Sequence, residues 1–285
     1  MYNSLSIIGP GLLGASIAMS VYEKKLAKEI HLWARSEHKR NLCLKTDWCD
    51  HVHETLEHVA KNSDFIIICT PVDTIIPILK TIAPHLTPGT IVTDVGSVKE
   101  SICSLAKTIP NNNHFHFIGS HPMAGSEKSG MEHASSTLLK EATCIVTPTE
   151  QAETSALEKV TQFWDNLEMH PVLMEPQIHD SLIAKISHLP HIVASILAAS
   201  LSDIPTEQFA YSGGGLKDTT RVAGGSPSLW QSIISQNADP ILNSIDQFEH
   251  TLKAFKESLA SQDLDNLHKI LNEGQLTRKA IEKSN

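Results

Sequence analysis

The chain has 285 residues, 41% of them hydrophobic and 19% charged, with a formal net charge of −9. That is more length than one ordinary domain uses and enough apolar content for a sizeable core. The absence of long single-sign blocks argues against wholesale disorder, and the negative balance argues against a nucleic-acid binder working by phosphate neutralisation.

Cys43, Cys49, Cys69, Cys103 and Cys144 are odd in number and form no CxxC pair, so neither a disulfide framework nor a zinc knuckle is expected. With no signal-type leader and no apolar run long enough to span a bilayer, the sequence predicts a soluble protein of a reducing cytoplasm with no membrane partner.

Residues 4–8 predict a short strand, followed by Gly9-Pro10-Gly11-Leu12-Leu13-Gly14 and helix-like spacing at Leu13, Ile17 and Val21. Strand, GxGxxG and helix in succession is the setting of a dinucleotide fingerprint. Gly9 permits the tight turn, Gly11 lets the backbone approach a pyrophosphate, and Gly14 lets the helix pack on the strand. The helix start at Leu12 and Leu13 supplies N–H donors to the cofactor. The second strand, residues 29–34, ends on Ala34, where an NAD site usually carries an acid for the ribose hydroxyl. Arg35 and Ser36 follow and suit a 2′-phosphate, so NADP is preferred over NAD. The plainer alternative is a solvated Arg35 at a helix start in an enzyme that takes either cofactor.

Residues 64–69 are a fully apolar run of buried parallel-strand type, and Cys69, Thr70 and Pro71 end it near where a nicotinamide ribose would lie. A helix over 75–82 and a strand over 90–94 follow. The next loop, Val95-Gly96-Ser97-Val98-Lys99, places Gly96 by the cofactor and Ser97 as cap of a helix over 99–107, a role compatible with a substrate contact. Residues 115–118 predict a strand, with Gly119-Ser120-His121-Pro122-Met123-Ala124-Gly125-Ser126-Glu127-Lys128-Ser129-Gly130 as a glycine-rich loop past its end. A helix over 131–140, a strand over 142–147, an amphipathic helix over 154–167 and a strand over 170–173 continue the alternation. Strands then vanish.

The expected architecture is therefore α/β: a Rossmann-type nucleotide-binding domain over residues 1–174, then an all-helical dimerisation domain over 175–285. In the second part, residues 178–201 predict a helix broken near Pro190, 211–225 a loop-rich passage and 227–236 a short helix. Ile245, Phe248, Leu252, Phe255 and Leu259, then Leu264, Leu267 and Leu271, repeat at period 3.5. Such a hairpin packs on other helices, here those of a second subunit in a homodimer.

A dinucleotide domain implies hydride transfer, and oxidising an alcohol needs an acceptor for the hydroxyl proton. His121, at the carboxyl edge of the sheet, is the side chain whose titration range suits that task. Arg221, among glycines, matches a carboxylate in plane, or else pairs structurally with Asp218. His188 and His191 are three apart but lack a third ligand, so no metal is expected, and His179-Asp180 reads as a helix start.

The segments GPGLLGAS, CTPV, DVGSVK, GSHPMAGSEKSG, ISHLPH and GLKDTTRVAGGSPSLW, in that order, resemble the prephenate and arogenate dehydrogenases of tyrosine biosynthesis over nearly the whole chain. The resemblance implies NAD(P)-dependent oxidative decarboxylation of prephenate or arogenate to 4-hydroxyphenylpyruvate or tyrosine. It implies that His121 bonds the substrate 4-hydroxyl and takes its proton, and that Ser97 bonds the same hydroxyl or holds His121 and the nicotinamide. By the same resemblance Arg221 holds a substrate carboxylate, His188 faces the side-chain end, Ser126 and Glu127 line the pocket, and Trp230 reaches a neighbouring site across the dimer. Two places depart from the pattern: Gly225-Ser226-Pro227 stands where some relatives have Ser-Asp-Pro, and Ala34-Arg35-Ser36 differs from the NAD-type strand end. The competing readings are a β-hydroxyacid dehydrogenase using a lysine such as Lys185, and a non-catalytic NAD(P)-sensing dimer. The intact set Ser97, His121 and Arg221 argues against the sensor.

Overall fold

The structure is a computed structural model that describes residues 1–112, 114–124, 128 and 130–283. It divides into two compact units, Met1–Asn237 and Ala238–Asn285.

In the first unit β1 (Tyr2–Ile8), β2 (Ala27–Trp33), β3 (His51–His53), β4 (Phe65–Ile68), β5 (Ile91–Asp94), β6 (His116–Pro122), β7 (Thr143–Thr147) and β8 (His170–Leu173) make an eight-stranded sheet. Its order is β3-β2-β1-β4-β5-β6-β7-β8, so the strand order reverses between β1 and β4. Around it run α1 (Leu12–Glu23), α2 (Glu37–Cys43), α3 (Leu56–Lys61), α4 (Val72–Ile82), α5 (Glu100–Ala106) and α6 (Thr154–Asn166). The period-2 pleat divides the core in two. Leu5, Ile7, Phe65 and Ile67 pack with α1 and α6, while Ile8, Ile66 and Ile68 pack with α3, α4 and α5. Both faces of the central strands are covered, which is why they read as unbroken apolar runs.

Three expectations for this half are corrected. Strand β3 was not expected; three residues are too few for a periodic signal, yet His31↔His51 and Trp33↔His53 pair in register. Strand β6 does not stop at Ile118 but runs on to Pro122, pairing Gly119↔Thr147 and His121↔Ile145. His121 therefore sits on a strand, not in a loop. The helix expected over 131–140 is a single 3₁₀ turn, Met131–His133, followed by turns. Backbone N–H groups there bond hydroxyls instead of helical carbonyls: Thr137 N donates to Ser135 Oγ at 3.2 Å, and Ser135 N donates to Ser16 Oγ of α1 at 3.0 Å. Without a crossover helix β6 and β7 pair antiparallel, whereas every other pairing is parallel.

Beyond β8 the first unit is helical: α7 (Pro176–Ile183), a π turn (Ala184–His188), α8 (Leu189–Ala199), α9 (Gly214–Thr220), a 3₁₀ turn (Arg221–Gly224) and α10 (Pro227–Gln236). The break expected near Pro190 is absent, because the wider π turn before it moves the proline ring off the preceding carbonyls. Counted through that turn, Pro176–Ala199 is a 24-residue helix that includes a stretch long and apolar enough, by length and composition alone, to cross a membrane. This departs from the sequence expectation, which counted no such run. The same helix buries His179, Asp180, His188 and His191. The passage 211–225 is not a loop either: Gly213 caps α9, and Arg221 opens the 3₁₀ turn.

The second unit is a helical hairpin, α11 (Ala238–Ala260) and α12 (Leu264–Lys283). Ser258 closes its corner, its carbonyl accepting from Asp263 N at 2.9 Å and its Oγ from Asn266 Nδ2 at 2.6 Å. Phe248, Leu252, Leu259, Leu264 and Leu271 are exposed on it.

Candidate active site

The glycine loop after β1 is shaped by close approach. Gly9 has φ +94°, and a Cβ there would lie 2.7 Å from Thr70 Cγ2. A Cβ on Gly14 would lie 2.4 Å from the Gly9 carbonyl oxygen, so α1 can begin only against a bare glycine. Gly11 faces open space, with nothing within 4 Å of a Cβ built on it. No side chain caps α1 among the described residues, which leaves the N–H groups at Leu12 and Leu13 for an anion. The loop lies where the strand order reverses, beside the β4 end at Cys69 and Thr70, and Cys69 N donates to the Ile8 carbonyl at 2.7 Å. These residues fit a dinucleotide pyrophosphate.

At the β2 end Arg35 and Ser36 are both exposed. Ser36 caps α2, its hydroxyl accepting from Lys39 N at 3.3 Å. Arg40 Nη1 donates to the carbonyls of Ala34 at 2.9 Å and Arg35 at 3.1 Å, folding back over the strand end.

The β5 end carries a buried ion pair. Lys99 Nζ bonds Asp94 Oδ2 and donates to the Ser120 carbonyl at 3.0 Å; both side chains are fully buried. Asp94 also accepts from Gly96 N at 2.8 Å and Ser120 N at 3.2 Å. Gly119 must be a glycine for this: a Cβ there would meet Thr147 Oγ1 at 2.5 Å, Cys103 Sγ at 2.9 Å and the Lys99 stem at 3.4 Å. One carboxylate and one ammonium thus tie the Gly96–Ser97 loop to the strand that carries His121. Ser97 is half-buried and makes no hydrogen bond among the described residues. It does not cap α5. That cap comes from α7: Asp180 Oδ1 accepts from Lys99 N at 2.7 Å and Oδ2 from Glu100 N at 2.9 Å.

Asp180 also starts a chain of bonds to His121. His179 Nδ1 lies 2.7 Å from Asp180 Oδ1, and His179 Nε2 lies 2.9 Å from His121 Nδ1. A carboxylate only accepts, so the proton of the first bond belongs to His179 Nδ1. His179 Nε2 is then the acceptor, His121 Nδ1 the donor, and His121 Nε2 a bare lone pair. His121 is 8% exposed, so the ring is dry but still reachable. Burial, with help from His179 and Lys99, holds its titration well below the ordinary histidine value. It is neutral, and a proton acceptor, at neutral pH.

A second cluster lies one step away. Asn237 Nδ2 bonds the Asp180 carbonyl at 3.0 Å and His188 Nδ1 at 3.0 Å. His188 therefore carries its proton on Nε2, which is buried without a partner among the described residues. Burial lowers its pKa to about 4. Trp230 meets His188 edge-on at 6.0 Å and stacks on His191 at 3.5 Å. A Cβ on Gly225 would sit 2.7 Å from the Trp230 indole nitrogen, which gives a steric reason for glycine at that place. His191 also bonds the Val222 backbone, which attaches the turn of Arg221 to the group; Arg221 itself is exposed. Ser126 and Glu127 lie outside the described residues. Lys185 is exposed on the π turn.

Asp94, Lys99 and Asn237 were not singled out from the sequence, and His179-Asp180, expected as a helix start, lies inside α7, which Pro176 opens. The one available signal was that pair of adjacent polar residues, His179-Asp180, ahead of the apolar Leu182-Ile183-Ala184. Away from the site, donor atoms of Glu29, His31 and His51 lie within 4.8 Å of one another. That cluster already satisfies itself, with His31 Nδ1 2.8 Å from His53 Nε2 and His31 Nε2 3.3 Å from Glu29.

A glycine loop at the reversal of strand order, with a neutral buried imidazole at the same sheet edge, defines a nicotinamide-dinucleotide-dependent oxidoreductase. Comparison with known proteins narrows the class. The family described as prephenate dehydrogenase, nucleotide-binding domain, matches residues 17–173, and prephenate dehydrogenase, dimerization domain, matches residues 175–273. The cyclohexadienyl dehydrogenase of Zymomonas mobilis is 31% identical over 287 residues, covering 99% of this chain and 97% of that one. The crystal structure of the A. aeolicus prephenate dehydrogenase with hydroxyphenyl propionate and NAD+ superposes with a TM-score of 0.91 at 29% identity over 98% of each chain. The Synechocystis arogenate dehydrogenase gives 0.82 at 28% identity, covering 98% of this chain and 99% of that one. The chain belongs to the prephenate dehydrogenase family.

Proposed function

We propose that this chain oxidatively decarboxylates prephenate, arogenate or both, with His121 as the proton acceptor. The observation that carries this reading is the bare Nε2 of a buried, neutral His121 at the carboxyl edge of β6. The names of the relatives support the substrate class. A nicotinamide bound at the glycine loop supplies the acceptor for the hydride that leaves C4. His121 Nε2 takes the hydroxyl proton, so the alcohol becomes a carbonyl. The electrons of the carbon–carboxylate bond then enter the ring as CO₂ departs and the ring aromatises, and the ring oxygen takes its proton back from His121 Nε2 to become the phenol. Ser97 bonds the same hydroxyl from the β5 loop. Arg221 binds and orients a carboxylate; a clamp equally strong at every stage would not speed its loss. His188 presents an Nε2–H to the side-chain end, and Trp230 closes the wall beside it.

We assign residues 1–174 to cofactor binding and 175–285 to substrate binding and dimerisation. Exposed Phe248, Leu252, Leu259, Leu264 and Leu271 support a homodimer through the C-terminal helices. Exposed Arg35, and the absence of an acid at the end of β2, support NADP over NAD. All five cysteines are free, which fits a cytoplasmic enzyme.

The test is reduced-cofactor formation with prephenate or arogenate, each with NAD or NADP. Turnover is expected, NADP is expected to be the better cofactor, and His121→Asn should lose about 10²–10⁴-fold in kcat. No turnover in any combination, from protein shown to bind cofactor, would refute the assignment.

A further inference from the structure

We propose that Asp180 and His179 are a positioning pair for the reaction: they hold His121 in the one tautomer that offers Nε2 to the substrate, and through the α5 cap they hold the Ser97 loop against it. The proposal rests on His121 being the proton acceptor.

Asp180 has three donors on two oxygens: His179 Nδ1 and Lys99 N at 2.7 Å each, and Glu100 N at 2.9 Å. It is 1% exposed and His179 is fully buried, so water cannot replace any of them. Only an acceptor satisfies all three donors. The proton order Asp180···H–His179···H–His121 follows, and an imidazole hydrogen-bonded on one nitrogen to an oriented partner is fixed in tautomer. The same two backbone donors begin α5, and Ser97 lies two residues before Lys99. Moving Asp180 therefore moves the loop of Ser97 and the ring of His121 together. These contacts reach across 58 to 81 residues of sequence.

The pair also provides for the proton once it arrives. When His121 Nε2 takes the hydroxyl proton, the Nδ1 proton can shift to His179 Nε2. The positive charge then rests on His179, 2.7 Å from the Asp180 carboxylate. Charge and proton balance: one proton enters at His121 Nε2 and one passes along the inner bond, both steps reverse when the ring oxygen takes its proton back as the ring aromatises, and the carboxylate stays ionised throughout.

Three variants of the full chain separate this from ordinary packing. Asp180→Asn must turn an amide N–H toward at least one of three donors, and where it faces His179 Nδ1 it reverses both tautomers, leaving His121 Nε2 protonated. His179→Leu removes the acceptor for His121 Nδ1. His179→Gln can still accept from His121 with its amide oxygen and donate to Asp180 with its nitrogen. Asp180→Asn and His179→Leu should each lower kcat on the order of 10²–10⁴-fold, as proton-transfer and tautomer losses do. KM and cofactor affinity should stay within about threefold of the parent, and His179→Gln should recover at least about tenfold over His179→Leu. A kcat for His179→Leu within threefold of the parent, or a Gln variant no better than Leu, overturns the proposal.

A second readout does not depend on turnover. In the ¹⁵N spectrum of histidine-labelled protein, His121, assigned by its loss in His121→Asn, should show Nε2 unprotonated and Nδ1 protonated, with the pattern reversed or averaged in Asp180→Asn. Seeing that pattern in protein without dehydrogenase activity would sustain the tautomer lock while sinking the assigned reaction. An Nε2-protonated His121 in the parent would sink the lock itself.

Discussion

Replacing Lys99 with methionine is the sharpest probe of how the site is built. The thioether keeps the unbranched stem that runs beneath Gly119 but removes the ammonium. Asp94, fully buried, is then an unpaired charge. Breaking a buried pair by removing one partner costs about 3–5 kcal/mol. Asp94 keeps two backbone donors, at 2.8 Å from Gly96 and 3.2 Å from Ser120, which places the loss near about 3 kcal/mol, the lower end of that range. For a unit the size of Met1–Asn237 this corresponds to a fall in Tm of about 6–12 °C. Urea titration at constant cofactor concentration reads the loss directly, and Asp94→Asn/Lys99→Met should cost less than the sum of the single changes. The same variant has an electrostatic readout. Burial comes first in holding His121 below its ordinary pKa, and the Lys99 cation adds to it. Removing a cation raises that pKa. A base that must be neutral loses activity as pH falls through its pKa, so the acid limb of kcat should move to higher pH. A loss below about 1 kcal/mol would refute the buried-pair reasoning. An acid limb that stays in place or moves down while stability falls would refute the electrostatic link between Lys99 and His121.

Two further outcomes follow from the geometry. Gly14→Ala puts a Cβ 2.4 Å from the Gly9 carbonyl and 3.1 Å from Cys69 Cβ, so the phosphate loop must shift; cofactor affinity, read by fluorescence titration, should weaken at least about tenfold, with about 1–3 kcal/mol of stability lost. Unchanged affinity would count against the loop as the cofactor site. Acid should destabilise the fold over a definite window. His31, His53, His121, His179 and His188 are all lowered by burial, His53 and His188 to about 4. In the unfolded chain these imidazoles protonate near 6.5, so between there and about 4 the unfolded state binds more protons and stability falls as pH falls. His188 alone accounts for about 3 kcal/mol across its shift at about 1.4 kcal/mol per unit. Denaturant titrations at pH 7 and 4.5 that gave equal stabilities would contradict this.

The nucleotide half was legible because its signals are local. Buried parallel strands such as residues 65–68 need both faces apolar, and the Gly9–Gly14 loop needs its glycines for contacts made within a few residues or with the adjacent strand end. What failed was also local: β3 is too short to carry a period, and residues 131–140 lost their helix to hydroxyls bonded to the nearby backbone. The sequence placed His121 just past a strand end but could not show its state. Its tautomer and its lowered titration depend on His179 and Asp180, which approach from a helix 58 residues along the chain. The cap of α5 likewise comes from Asp180 and not from the nearby Ser97. By itself the sequence determined the α/β frame and the glycine loop of the nucleotide-binding half, because backbone conformation and burial pattern act over short spans. The tertiary structure alone decided which proton sits on which nitrogen, since that depends on an acceptor only folding brings within 3 Å of its donors.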